Sequence, residues 1–206
     1  MARSKRTGQV RIIGGDWRGR RLAVLDRPGL RPTGDRARET LFNWLQGRVA
    51  GRGVADLFAG SGALGFEAAS RGAARVDLVE LDRRAGDALK RAIEGWPGAE
   101  RVCVHTVDAL GWLQRLDAPE GAPLDLVFVD PPFDAGLHRA ALDALGRPGR
   151  LSDEARVYVE SAARSADPVG DSPGWLRLRE KVQGDVRMQL LAPDRDGDRA
   201  EESRPV

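Results

Sequence analysis

Between residues 54 and 161 the apolar positions fall into short dense runs separated by stretches of helical period. The runs predict strands at Val54–Ala59, Arg75–Leu81, Arg101–Val107, Leu124–Asp130 and Arg156–Ser161. Val- and Leu-rich runs of this kind mark strands buried on both faces. The stretches between them predict helices near Ala63–Arg71, Arg83–Glu94, Ala109–Leu116 and Gly136–Leu145. Strand and helix in alternation imply a parallel sheet covered on both sides. The rhythm changes at the end, where Leu176–Val182 and Val186–Ala192 flank Gln183-Gly184-Asp185, a hairpin signal that closes the sheet with an antiparallel pair.

Ahead of this body, Val10-Arg11-Ile12-Ile13 and Arg20-Arg21-Leu22-Ala23-Val24 enclose Gly14-Gly15-Asp16, as a short hairpin would. A loop signal at Pro28-Gly29 and Arg31-Pro32-Thr33-Gly34 follows. Ala37, Leu41, Trp44, Leu45 and Val49 then recur at helical spacing, with Asp35 as N-cap and Arg36, Arg38, Asn43 and Gln46 turned away from the apolar stripe. Four regions are expected: a flexible basic tail (1–8), a hairpin-and-helix extension (9–50), a main domain (51–193) and a disordered polar tail (194–206).

Length changes little in this picture, since 206 residues hold one substantial core. No apolar run reaches bilayer length and no secretory leader is evident, so no membrane partner is expected. One cysteine, Cys103, and two histidines, His105 and His138, leave no disulfide framework and no expected metal centre. A reducing cytoplasm fits best. Charge is more informative. Residues 1–38 carry eleven Lys or Arg against three acids, a surplus of eight, while the remainder has 22 basic against 28 acidic residues. A basic arm on a mildly acidic body points to a polyanionic partner met by one end of the molecule. Coding bias toward Arg would explain the choice of Arg but not its segregation.

The chemistry concentrates where strands are predicted to end. Asp56-Leu57-Phe58-Ala59-Gly60-Ser61-Gly62-Ala63-Leu64-Gly65 places Gly-x-Gly-x-x-Gly between a strand and a helix, the context in which glycines let the backbone approach a ligand. Glu80 ends the next strand, where an acid can accept both hydroxyls of a ribose. Together they indicate a nucleoside cofactor. Asp108 ends the third strand and could accept from an adenine amino group, cap the following helix, or do both. The fourth strand stops at Asp130-Pro131-Pro132-Phe133. Prolines end the strand and hold carbonyl acceptors in a rigid turn, Asp130 adds a carboxylate, and Phe133 offers a stacking face. Acceptors beside a ring suit an exocyclic amine on a planar heterocycle. The plain alternative is a strand that ends in a proline turn with Phe133 in the core.

These motifs resemble S-adenosylmethionine-dependent methyltransferases that act on amino nitrogens. The resemblance narrows with Val10–Arg20, Leu30-Arg31-Pro32-Thr33, Arg36, Arg38–Leu45, Tyr158-Val159-Glu160 and Glu180-Lys181-Val182. Over about residues 9–192 the chain is similar to the RsmD family, bacterial enzymes that methylate N2 of one guanine in 16S rRNA. The resemblance implies a Rossmann-like methyltransferase sheet with a small basic amino-terminal extension. It implies S-adenosylmethionine held by Asp56, Phe58, Gly60, Gly62, Glu80 and Asp108, with Arg31 and Thr33 from the preceding loop. Catalysis falls to Asp130, Pro131, Pro132 and Phe133, and RNA phosphates to Arg11, Arg18, Arg20, Arg21 and Arg36. The expected partner is 16S rRNA within the 30S subunit or an assembly intermediate, met by a monomer.

Rival readings are an adenine-N6 methyltransferase acting on DNA or RNA, a nicotinamide-dependent oxidoreductase, and a non-catalytic RNA-binding assembly protein. The chain shows no sizeable target-recognition domain for the DNA enzyme. The oxidoreductase leaves the proline-aromatic turn unexplained.

Overall fold

Two three-residue strands, β1 (Gln9–Arg11) and β2 (Arg21–Ala23), pair antiparallel at the start of the chain. The structure is a computed structural model that describes residues 9–23, 34–116, 123–132, 135–170 and 173–195. Both expected tails, apart from Asp194 and Arg195, and the Arg31-Pro32-Thr33 loop lie outside those residues. Helix α1 (Asp35–Trp44) follows. Five strands then alternate with helices: β3 (Gly53–Asp56), α2 (Ala63–Ser70), β4 (Arg75–Glu80), α3 (Arg83–Ala92), β5 (Val102–Thr106), α4 (Ala109–Arg115), β6 (Leu124–Val129), α5 (His138–Leu145) and β7 (Leu151–Ala162). The antiparallel strands β8 (Trp175–Gln183) and β9 (Val186–Pro193) complete the sheet.

The seven-stranded sheet runs β5-β4-β3-β6-β7-β9-β8. From β5 to β7 all neighbours are parallel, and β9 joins β7 antiparallel, between β7 and β8. Strand order reverses between β3 and β6, and the carboxyl ends at such a switch point open the crevice where α/β sheets bind ligands. Strand alternation sorts side chains onto two cores. On β6, Leu126 and Phe128 join the cluster shared with the hairpin, α1 and α2, while Val127 and Val129 join the one under α4 and α5.

Several expected boundaries shift. The first residue of α1 is Asp35, and Gly34 holds the cap position. The Asp35 carboxylate turns to Arg38 instead (2.6 Å). The helix ends at Trp44, although Leu45 and Val49 beyond it remain buried. Strand β7 begins five residues earlier than expected, because its polar start (Ser152-Asp153-Glu154) carries no apolar signal. Arg38, expected to turn outward, is completely buried.

That burial has a cause on α2. All eight residues of this helix are buried, including Glu67 at 0% exposure. Its Oε2 accepts the Ile13 N–H at 2.7 Å, and its Oε1 accepts the Gly14 N–H at 2.8 Å and Arg71 Nε at 2.8 Å. Arg38 Nη1 lies 3.6 Å from Oε2. One turn along, Ser70 Oγ accepts the Trp17 N–H and donates to the Gly14 carbonyl, while the Ser70 carbonyl accepts the Asp16 N–H. The loop between β1 and β2 lies so close to α2 that a Cβ on Gly15 (φ +74°) would fall 1.7 Å from the Ser70 carbonyl oxygen. The basic hairpin is thus seated on the helix that starts at the Gly-rich loop.

Replacing Glu67 should uncouple this joint. Glu67→Gln removes the buried charge opposite Arg38 and Arg71 and leaves Arg38 only the Asp35 carboxylate, a loss of about 3–5 kcal/mol. Urea denaturation should show it; stability within 1 kcal/mol of wild type would mean that Asp35 alone satisfies Arg38.

Candidate active site at the carboxyl edge of the sheet

At the end of β3 the chain enters the Gly-rich loop, and Asp56 holds that loop in place. It is 2% exposed, and its Oδ2 accepts the Gly65 N–H at 3.0 Å, in the first turn of α2. Burial pushes the Asp56 carboxyl up to about 7, reinforced by the Glu80 charge and opposed by the hydrogen bonds from Gly65 and Phe58. Gly62 sits before α2 in the left-handed region (φ +75°), and a Cβ there would strike the Phe66 ring at 2.4 Å and Leu89 at 2.7 Å. The protein's own core therefore demands glycine at 62, a requirement the motif alone does not reveal. Phe58 is partly buried against α4 and its neighbours.

Glu80, at the end of β4, reaches back across this loop. Its Oε2 accepts the Gly60 N–H at 2.9 Å and its Oε1 the Asp82 N–H at 2.8 Å. The two elements that sequence spacing paired are in direct contact. Asp108, on the next strand end, is exposed and caps α4 by accepting the Gly111 N–H at 2.8 Å. Its second oxygen has no hydrogen-bond partner among the described residues.

Asp130 follows β6, next to β3. It is half-buried, Pro131 is buried and Pro132 exposed, and the Pro132 carbonyl accepts the Ala135 N–H at 2.9 Å. Phe133 lies outside the described residues. Beside Asp130, β7 contributes two residues whose chemistry the sequence reading left unassigned. Tyr158 Oη donates to Glu160 Oε2 at 2.8 Å, both side chains being buried. Burial pushes the Tyr158 phenol well up, with the Glu160 and Asp130 charges adding to it. His138 Nε2 lies 2.8 Å from the Glu160 carbonyl, an acceptor, so this nitrogen carries the proton. Burial lowers the His138 pKa, which keeps the ring neutral. A buried Tyr and Glu two apart on a predicted strand were the only signal of this group.

Four of the basic candidates share the hairpin, and Arg36 lies in the first turn of α1. Arg11 and Arg21 oppose each other in register and both are exposed, as are Arg18 and Arg36. Arg20 is half-buried, its guanidinium stacked 4.6 Å from the Trp96 ring centre. Arg31 and Thr33 lie outside the described residues. Away from the crevice, β4 and β5 bring Asp77, Cys103 and His105 together, with Asp77 Oδ1 2.8 Å from His105 Nε2. The other carboxylate oxygen holds Arg75 Nε at 2.6 Å. Among the described residues no helix is long and apolar enough to cross a membrane.

The Asp56 shift has a thermodynamic consequence. A carboxyl raised from 3.8 to about 7 on folding favours the folded state when protonated. Its contribution is therefore most favourable below about pH 4 and is lost as pH rises toward 7. Asp56→Asn keeps an acceptor for Gly65 without this loss, so its stability relative to wild type should improve between pH 4 and 8. The gain is up to about 4 kcal/mol. Parallel pH–stability curves from urea denaturation would place the Asp56 proton elsewhere.

Comparison with known proteins places the chain in a family. Residues 10–192 match the family model described as conserved hypothetical protein 95. The chain is 44% identical to ribosomal RNA small subunit methyltransferase D of Escherichia coli strain K12, over 93% of this chain and 94% of that one. It is 42% identical to the protein of the same name from Haemophilus influenzae, over 89% and 93%. Among solved structures, a putative methyltransferase from Escherichia coli superposes with a TM-score of 0.79 at 43% identity, covering 91% of this chain and 99% of that one. A putative methylase from Haemophilus influenzae gives 0.74 at 37%, covering 90% and 99%. The chain belongs to the family of conserved hypothetical protein 95, the RsmD family.

Proposed function

We propose that this protein transfers a methyl group from S-adenosylmethionine to the exocyclic N2 amine of a guanine in 16S rRNA, in the bacterial cytoplasm. The observation that carries the reading is the meeting of two groups at the switch point. The Glu80 carboxylate is bonded to the Gly-rich loop on one side of β3, and the Asp130-Pro131-Pro132 turn stands on the other. Support comes from relatives at 42–44% identity whose names specify ribosomal RNA of the small subunit.

The edge suits the cofactor chemically. Glu80 already holds the loop and keeps acceptor capacity for ribose hydroxyls, since each carboxylate oxygen has a second lone pair. Asp108 can accept an adenine amino proton with the oxygen not used in capping. Arg31 and Thr33, outside the described residues, are assigned to the cofactor by family resemblance alone. When bound, the cofactor supplies a methyl group on a sulfonium.

The chain's own residues do the rest. Guanine N2 is a poor nucleophile because its lone pair is delocalised into the ring. Hydrogen bonds from its two hydrogens to the Asp130 carboxylate and the Pro131 carbonyl localise that pair and aim it at the methyl. Asp130 stabilises the positive charge that develops on nitrogen. Pro132 stiffens the turn, and Phe133 stacks on a base extruded from its helix. Arg11, Arg18, Arg21 and Arg36 hold phosphates and position the RNA without reading its sequence. Arg20 joins them through whatever part of its guanidinium the Trp96 stack leaves open. In this division residues 9–50 form the RNA-facing extension and 51–193 the methyltransferase unit, acting as a monomer on the 30S subunit or an assembly intermediate.

Two variants separate the two halves of the site. Asp130→Ala should slow single-turnover methylation of 30S particles by about 10²–10³, with cofactor affinity unchanged. Glu80→Ala should instead weaken cofactor binding, by about 1–3 kcal/mol in calorimetry. Digestion of the product to nucleosides should yield N2-methylguanosine. Full activity in a folded Asp130→Ala protein would move the chemistry elsewhere, and N6-methyladenosine would change the substrate.

A further inference from the structure

Two runs that carry the family resemblance have no role in the proposed chemistry: Tyr158-Val159-Glu160 and Glu180-Lys181-Val182. Strand register brings them together. Val129 pairs with Val159, so the next rung sets Asp130 beside Glu160. Glu160 pairs with Met188, and Met188 with Lys181. One row across the sheet therefore reads Asp130, Glu160, Met188, Lys181, from the catalytic turn to the free edge of β8. Residues opposed in register project to the same face.

That face is the one α1 covers. Met188 and Leu190 belong to the core that α1 builds with Leu41 and Phe42. Lys181 opposes Met188 and Arg179 opposes Leu190, so both basic side chains lie on this side. Lys181 Nζ is 3.4 Å from Thr40 Oγ1 of α1. Glu180 turns to the other face, where it meets Arg177 (2.8 Å), Arg187 and Gln189. Lys181 and Arg179 are both exposed, and neither forms an ion pair among the described residues.

The row is thus acidic at the crevice and basic at the rim. Three strand spacings, about 14 Å, separate the two ends. A nucleotide turned out of its helix has the matching polarity: its amine donates at one end, and its diester backbone is anionic at the other. We propose that Lys181 and Arg179 form a second phosphate-binding site, which holds the RNA backbone flanking the target base while its amine lies at Asp130. The flexible four-carbon stem and compact charge of Lys181 suit it to a backbone that arrives at varied angles. The substrate would then be gripped from both sides of the crevice, by the amino-terminal hairpin and by β8. This inference rests on the RNA methyltransferase reading. Lysine on an edge strand also blocks strand-to-strand aggregation, a role that would leave RNA binding untouched.

The test uses the full chain, an unmethylated 16S rRNA transcript and 30S particles assembled from it. Binding is measured between 50 and 200 mM KCl. In the Lys181→Gln/Arg179→Gln double variant the slope of log affinity against log salt should flatten by about 1–2. KM for RNA should rise about five- to tenfold at the higher salt, with kcat at saturating RNA and calorimetric cofactor affinity unchanged. Lys181→Arg in an otherwise wild-type chain should keep the wild-type slope. Thr40→Val removes the hydrogen-bond partner and keeps the cation, so it too should bind as wild type. A wild-type slope in the double variant, or a loss reproduced by Thr40→Val, overturns the phosphate site while wild-type methylation leaves the enzyme reading standing. A wild-type protein that methylates neither RNA overturns that reading and this proposal with it.

Discussion

A carboxylate with no access to solvent sets the terms for the amino-terminal half of the molecule. Glu67 is on a helix buried on all sides, where an unpaired charge would be expelled or neutralised. It persists because two backbone amides and Arg71 satisfy its oxygens, with the Arg38 guanidinium close by. These partners come from the hairpin loop, from α1 and from α2 itself. One side chain therefore joins the basic extension to the helix whose first turn receives the Gly-rich loop. The joint ties the hairpin loop to the last turns of that helix through Glu67 and Ser70.

The same joint shows where local reading of the sequence succeeds and where it stops. The parallel sheet, the Gly-rich loop and the turn after β6 were all legible, since each is encoded in contiguous residues: a dense apolar run, a glycine spacing, two prolines. Arg38 was not. It lies off the apolar stripe of α1, and its burial depends on partners distant in the chain, the Arg11 carbonyl at 2.9 Å and the Glu67 carboxylate, 29 positions away, at 3.6 Å. Asp35 reads as an N-cap, yet that buried guanidinium is a stronger claim on its carboxylate than a helix amide. The first half of β7 was invisible because Ser152, Asp153 and Glu154 follow no apolar period; they form an irregular stretch between the pairings of Leu151 and Arg156 with β6. At the site, Glu80 and Gly60 were matched correctly by spacing, while the packing demand on Gly62 was not legible, because Phe66 and Leu89 approach it from inside the fold.

Electrostatics divide the face that carries the crevice. Carboxylates gather at the strand ends: Asp56 and Glu80 on β3 and β4, Asp130 and Glu160 on β6 and β7. Cations stand elsewhere, on the hairpin and on β8. In the proposed complex this division would draw a polyanion to the basic elements and leave the acidic centre to an uncharged base with N–H donors.

Asp56 is the hardest of these acids to justify on packing grounds. Its bond to the Gly65 amide could be made by a neutral amide side chain, and burial beside Glu80 disfavours its charge. What the carboxyl adds is a reserve of negative charge behind the loop. A cation bound at this edge would lower the pKa of a carboxyl held near 7, so its binding and proton release from Asp56 would favour each other.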